Sequence, residues 1–241
     1  DSILEELLQG AEVLVHLAFV LMRLPGVRPE EIEKQNVRDA RAVFEAAARQ
    51  GVRKIIFTSS VVAYGLHPDN PVPLTEESPL RPNEGLYYGR AKAAIERYLD
   101  EFEKEHPAIV VARLRPCTVV GLRADPAQMA SLVNPTSILV RGANPLYQLV
   151  YEDDVAQALY LAIRKDLPGA YNVAGDAPLT LRELAELRNG RVITLPHFAV
   201  RALMGALWRM GRSPFAPEWT DLLRYPLIVS NEKLKRAGWV P

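Results

Sequence analysis

Cysteine is nearly missing from these 241 residues: Cys117 stands alone, which excludes an intramolecular disulfide framework. Histidine is scarce too, with four residues and none within five positions of another, so no zinc-ligand spacing exists and no metal site is expected. No run of 18 apolar residues and no signal-like start is present, which argues against a membrane span and for a cytoplasmic protein. Charge of one sign is lacking as well, since 29 basic residues balance 29 acidic ones. That balance supplies no field for holding nucleic acid or anionic lipid, and a small molecule is the expected partner. The chain has no internal repeat and no low-complexity tract.

What is present is ordinary globular composition, 49% hydrophobic and 24% charged, in a regular alternation of elements. Asp1 to Gln9 reads as a short helix stopped by Gly10, and Glu12 to Ala18 is a compact apolar run suited to a buried parallel strand. Apolar residues at Ile32, Val37, Ala40, Phe44 and Ala47 keep helical spacing from Pro29 to Gln50. Arg53 to Thr58 is the next buried strand, and the proline-rich stretch from His67 to Pro82 reads as a long loop. A helix over Leu86 to Glu105 and a strand over Ala108 to Leu114 follow. Strand and helix alternating in this way predict an α/β fold, a doubly wound parallel sheet with helices on both faces.

Beyond Gly121 the units shorten. A polar, proline-containing stretch runs to Pro145. A helix over Asp153 to Arg164, a strand over Ala170 to Ala174, a helix from Thr180 to Leu187 opened by a Thr180/Glu183 capping box, a strand over Arg191 to Leu195 and a helix over Pro196 to Met210 come after it. The expected division is a doubly wound core over 1–121 and a small substrate lobe over 122–241, with 150–175 returning to the core.

Chemistry concentrates in Tyr88-Gly89-Arg90-Ala91-Lys92. The phenol and the ammonium stand at i and i+4, one turn apart on one helix face. A nearby cation favours the phenolate, and such a tyrosine can exchange a proton with an alcohol or carbonyl. The spacing alone is common and equally describes an exposed helix surface. Thr58-Ser59-Ser60 adds weight, because it ends a predicted parallel strand at the edge where open α/β sheets bind ligands. A hydroxyl there can position a substrate oxygen, although strand-end serines also serve simply to satisfy backbone groups. Asp153-Asp154 at a helix start reads as a cap, and His16 and Cys117 read as packing residues.

With these landmarks the chain resembles the extended short-chain dehydrogenase/reductase superfamily, the group that includes NAD-dependent epimerases and dehydratases. The resemblance rests on Val15-His16-Leu17-Ala18, Asn36-Val37, Phe57 to Gly65, Tyr88 to Lys92, Leu114-Arg115-Pro116, Val150 to Ala156 and Tyr171 to Gly175, in order along nearly the whole chain. It implies an NAD(P)-dependent oxidoreductase or epimerase/dehydratase with Tyr88 as general acid/base, Lys92 lowering its pKa and holding the nicotinamide ribose, and Ser60 orienting substrate. It further implies that Leu17, Ala18, Thr58, Ser59, Pro116, Thr118 and Val119 lie along NAD or NADP, with Asn36 fixing the loop beside it. Ser60, Val61, Arg141 and Tyr147 would meet substrate. A homodimer through the two long helices is the working expectation, and a non-enzymatic NAD(P)-binding sensor of the same fold is the alternative.

The resemblance breaks at one place. The family's Gly-x-x-Gly-x-x-Gly loop, which lets pyrophosphate approach a helix N-terminus, is absent, so the residue that selects NAD over NADP is absent too. The expectation is a piece of a longer protein. Two further departures bear on substrate: Leu114-Arg115-Pro116-Cys117 lacks the asparagine usual in nucleotide-sugar enzymes, and Tyr147-Gln148 stands where an arginine usually meets the diphosphate. Both favour alcohols or ketones with an apolar body, and the helix carrying Phe198, Leu203, Met204, Leu207 and Trp208 either lines such a pocket or packs as plain core.

Overall fold

The structure is a computed structural model that describes residues 2–21, 26–124 and 126–241. In chain order its first half comprises α1 (Ser2–Leu8), β1 (Val13–His16), α2 (Pro29–Arg49), β2 (Lys54–Thr58), a 3-10 turn (Val61–Tyr64), α3 (Tyr87–Glu105) and β3 (Val110–Pro116). The second half comprises β4 (Thr118–Val120), α4 (Pro126–Val133), β5 (Thr136–Val140), β6 (Leu146–Tyr147), β7 (Leu149–Tyr151), α5 (Glu152–Arg164) and β8 (Gly169–Val173). It ends with β9 (Leu179–Thr180), α6 (Leu181–Leu187), β10 (Arg191–Leu195), α7 (His197–Arg209), a second 3-10 segment (Pro217–Leu223) and α8 (Glu232–Arg236).

Four parallel strands in the order β1-β2-β3-β8 form the main sheet. Its central strands are apolar on both faces because both faces are covered. Ile55 and Phe57 of β2 and Val111 of β3 pack with Phe44 of α2 and Ile95, Leu99 and Phe102 of α3. Ile56, Ala112 and Leu114 point the other way, against Ala158 and Ala162 of α5. The period-2 alternation of a strand therefore divides one apolar run between two helical layers. Each buried leucine or phenylalanine stabilises this arrangement by about 1.5–3 kcal/mol relative to exposure.

Residues after Gly121 are more ordered than their composition predicts. The polar stretch before Pro145 contains α4 and β5, and β5 is held by parallel pairing to β10, with Thr136 opposite Arg191 and Val140 opposite Leu195. A strand whose partner lies over fifty positions away leaves little local signal. Local signals elsewhere hold: Thr180 caps α6, its hydroxyl accepting from Glu183 N at 3.2 Å while Glu183 Oε2 accepts from Thr180 N at 2.7 Å. Asp153 and Asp154 sit in the first turn of α5, where acidic side chains complement the free amides. Val150 to Tyr171 leads back to the main sheet through α5 and β8. Among the described residues no helix is long and apolar enough to cross a membrane, and no cluster of His, Cys, Asp or Glu is grouped to hold a metal ion.

Candidate active site

The chain leaves β2 at its C-terminal edge and turns sharply. Ser59 N donates to Leu114 O at 2.7 Å, continuing the pairing with β3, and Ser60 caps the 3-10 turn by accepting from Val62 N at 3.3 Å. Helix α3 passes directly over this turn. A Cβ at Gly89 would lie 2.9 Å from Val62 O, so glycine permits the approach that sets Tyr88 beside the serines.

Tyr88, Lys92 and Glu96 recur every four residues on α3 and share one face. Lys92 is 4% exposed; its Nζ donates to Thr58 O at 2.6 Å and lies 3.9 Å from the centre of the Phe19 ring. Tyr88 meets Phe19 edge-on at 5.3 Å and leans on Trp219 at 6.1 Å. Burial pushes the Tyr88 phenol above its ordinary range, and its hydrogen bond with Ser60 pulls part of the way back. Burial also lowers Lys92 to about 7, against the nearby Glu96 carboxylate, which favours its charge. The direction for Tyr88 is opposite to the depression by Lys92 that the i, i+4 spacing suggests, because desolvation of the phenol dominates.

The Lys92 shift has a consequence for stability. Its folded pKa of about 7 lies below the unfolded value of 10.5, so between those pH values the unfolded chain holds a proton the folded chain has lost. The group's contribution to stability therefore rises as pH climbs from 7 to 10.5, and below 7 the full cost of burying its charge is present. Lys92→Met should be more stable than wild type at pH 6, by on the order of 3 kcal/mol, with the gap closing toward pH 10. Urea unfolding of the intact protein at several pH values measures it; a pH-independent difference would contradict the assignment.

Beneath the Tyr88/Lys92 face lies a buried polar cluster that motif reading overlooked. Ser59 Oγ donates to Glu96 Oε1 at 2.5 Å, and Arg115 of β3 grips the same carboxylate through Nε at 2.9 Å and Nη2 at 2.5 Å. Arg115 Nη1 also donates to Tyr64 Oη at 2.7 Å, and Tyr64 Oη donates to Asn172 Oδ1 on β8 at 2.9 Å. Burial opposes the Arg115 charge, yet its bonds to Glu96 outweigh that cost and push its pKa up; burial raises Tyr64 to about 12. Glu96 was detectable in principle, as the residue one turn beyond Lys92. Arg115 was quoted for family resemblance without a role.

One cavity of about 730 Å³ opens against this face. Of the residues that the family resemblance implies would meet cofactor or substrate, Leu17, Thr58, Ser59, Ser60, Val61, Tyr88, Lys92, Pro116, Thr118, Val119 and Tyr147 line it. Thr118 Oγ1 donates to Tyr147 Oη at 2.8 Å, tying two of them together. Ser59 differs in detail: its hydroxyl is committed to Glu96. Asn36 stands outside the cavity wall but clamps the backbone of Val20, accepting from its N at 2.8 Å and donating to its O at 3.0 Å. Ala18 is exposed beyond β1 and does not line the cavity.

Arg141 stands apart from the cavity. It is exposed on the turn after β5, with its backbone N donating to Leu195 O, and it contributes nothing to the cavity wall. The basic residue that does line the wall beyond Lys92 is Arg188, at the C-cap of α6, which sequence reading missed. Helix α7 divides its roles: Val200 and Met204 line the cavity, whereas Phe198 is 75% exposed and faces away with Trp208. His16 packs between Phe44 and Phe57 and burial lowers it to about 4, while burial raises Cys117 to about 12, so neither is poised for chemistry.

A parallel α/β sheet, helices on both faces and a Ser/Tyr/Lys wall at the strand ends define a Rossmann-type protein of the epimerase/dehydratase class. The family model for the NAD dependent epimerase/dehydratase family matches residues 1–174, and the chain belongs to that family. An uncharacterised protein of Mycobacterium tuberculosis is 29% identical over 174 residues, covering 71% of this chain and 46% of that protein. A UDP-glucose 4-epimerase of Neisseria gonorrhoeae is 32% identical over 124 residues, 50% of this chain and 36% of the relative. The crystal structure of UDP-glucose 4-epimerase from Thermotoga maritima with UDP-glucose superposes with a TM-score of 0.76 at 23% identity, covering 100% of this chain and 76% of that one, which establishes the shared fold. The chain spans about half the length of the first curated relatives it matches, 46% to 54%.

Proposed function

We propose that this chain carries the proton-handling and substrate-holding part of an NAD(P)-dependent oxidoreductase or epimerase/dehydratase acting at an alcohol or ketone carbon. The observation that carries the reading is the convergence of Ser60, Tyr88 and Lys92 on one wall of a single large cavity. Thr58 Oγ1 is buried on the same wall without a hydrogen-bond partner, a polar atom that a bound cofactor would satisfy. NAD or NADP, when bound, supplies the hydride acceptor or donor. Lys92 would hold the ribose hydroxyls, with Leu17, Thr58, Ser59, Pro116, Thr118 and Val119 bordering the nicotinamide. The pyrophosphate-binding glycine loop is not found in these residues.

The protein's own groups divide the remaining work. Ser60 holds the substrate oxygen by hydrogen bonding and shares its hydroxyl with the Tyr88 phenol. Tyr88 is a phenol at neutral pH, the state that donates a proton to a carbonyl oxygen becoming an alcohol; alcohol oxidation draws on the phenolate. Leu139, Leu184, Met204 and Leu222 shield the site from water and suit a substrate with an apolar body.

The test is turnover of the intact protein with NAD or NADP over a panel of alcohols, ketones and nucleotide sugars. Ser60→Ala should lower kcat about 10- to 1000-fold, as expected for one donor to a developing oxyanion. A wild-type protein that binds NAD(P) yet turns over nothing on the panel would favour a sensor instead.

A further inference from the structure

At the end of the cavity formed by α6 and β5, the Arg188 guanidinium is incompletely satisfied. Its Nη2 donates to Ser137 Oγ at 2.5 Å, while Nε and Nη1 are buried with no hydrogen-bond partner. No carboxylate among the described residues forms an ion pair with it, in contrast to buried Arg113 and Arg115. Arg188 as a residue is only partly buried, but leaving its enclosed Nε and Nη1 donors unpaired is costly, so a partner from outside the chain is the natural complement.

The backbone holds Arg188 in place. Its own N donates to Ala185 O at 3.2 Å, Gly190 N donates to the same carbonyl at 2.9 Å, and Arg191 N donates to Pro135 O at 2.6 Å, locking the turn after α6 to the strand that carries Ser137. Ser137 fixes the side chain from one side only. The neighbouring walls are Leu181, Leu184 and Leu139, which exclude water and strengthen any charge interaction formed there.

We infer that Arg188 is an anion-binding subsite: the molecule occupying this cavity carries a carboxylate or phosphate that bonds to Arg188, at the end of an apolar body. A guanidinium with free N–H groups recognises either anion. This rests on reading the cavity as the substrate site, and it assigns a charge-recognising role to Arg188, a residue outside the substrate-contacting set that the family resemblance implies.

The experiment is isothermal titration of the intact protein with octanoate, octyl phosphate and uncharged 1-octanol at neutral pH. Wild type should bind at least one anion about 10- to 100-fold tighter than octanol, the effect of a charge-assisted hydrogen bond. The tighter anion identifies the group recognised. Arg188→Met should bind all three alike with octanol affinity unchanged, and Arg188→Lys should retain part of the preference. The inference is overturned if wild type binds neither anion more tightly than octanol, or if Arg188→Met keeps the preference. The wild-type comparison stands whether or not the variants fold. Tyr88→Phe should keep the anion preference while losing turnover, so a failed subsite and a failed catalytic assignment give different results.

Discussion

Tyr88→Phe should lower kcat about 100- to 10,000-fold, the range for losing a positioned acid/base, and leave folding and NAD(P) affinity near wild type. The substitution removes one oxygen from a ring whose packing is otherwise kept, since Phe19 stands edge-on to it and Trp219 covers it. The lost atom is the one bonded to Ser60, and neither Cys117, held protonated, nor His16, packed between two phenylalanines, can replace its proton. Direction of reaction adds a sign. Burial raises the phenol pKa, so the fraction of phenolate grows as pH rises above neutrality. Oxidation of an alcohol should therefore accelerate with pH, while carbonyl reduction should decline only in the alkaline range. Steady-state rates in both directions for wild type and variant measure this; turnover unchanged by the substitution would end the acid/base assignment.

The elements that sequence alone makes legible are those whose signal is local. Pro29 to Gln50 and Leu86 to Glu105 repeat at helical spacing, and β2 and β3 are short apolar runs bounded by polar or proline-containing segments, so the α/β alternation follows within a residue or two. The Tyr88/Lys92 pair is legible for the same reason, because one helix turn relates its members. Distant partnerships are not legible. β5 becomes a strand by pairing with β10, and Arg188 reaches the cavity only because the turn after α6 is tied to Pro135. Arg141, which the resemblance implies would meet substrate, lies on an exposed turn just after β5. The lowering of the Lys92 pKa is likewise set by burial among residues far apart in sequence, Phe19 and Phe57 among them, with Glu96 one turn along opposing it.

Glu96→Ala should destabilise the intact protein by about 3–5 kcal/mol, the cost of leaving a buried ion pair half dismantled. Glu96 is 2% exposed and Arg115 5%, so water cannot replace the missing carboxylate, and Ser59 loses its acceptor at the same time. Arg115→Met together with Glu96→Met removes both charges and should cost less than Glu96→Ala alone, because no uncompensated ion remains. The pair also joins α3 to β3 directly beneath Ser59, one residue from the Thr58 carbonyl that holds Lys92 and one from Ser60. Disturbing it should therefore move the serine turn relative to Tyr88, lowering kcat in molecules that remain folded while KM changes little. Urea denaturation of the single and double variants, with kcat and KM measured below the transition, separates the two effects. If Glu96→Ala costs under about 1 kcal/mol, the range of an exposed pair, the cluster is not the anchor that sets α3 against the strand edge.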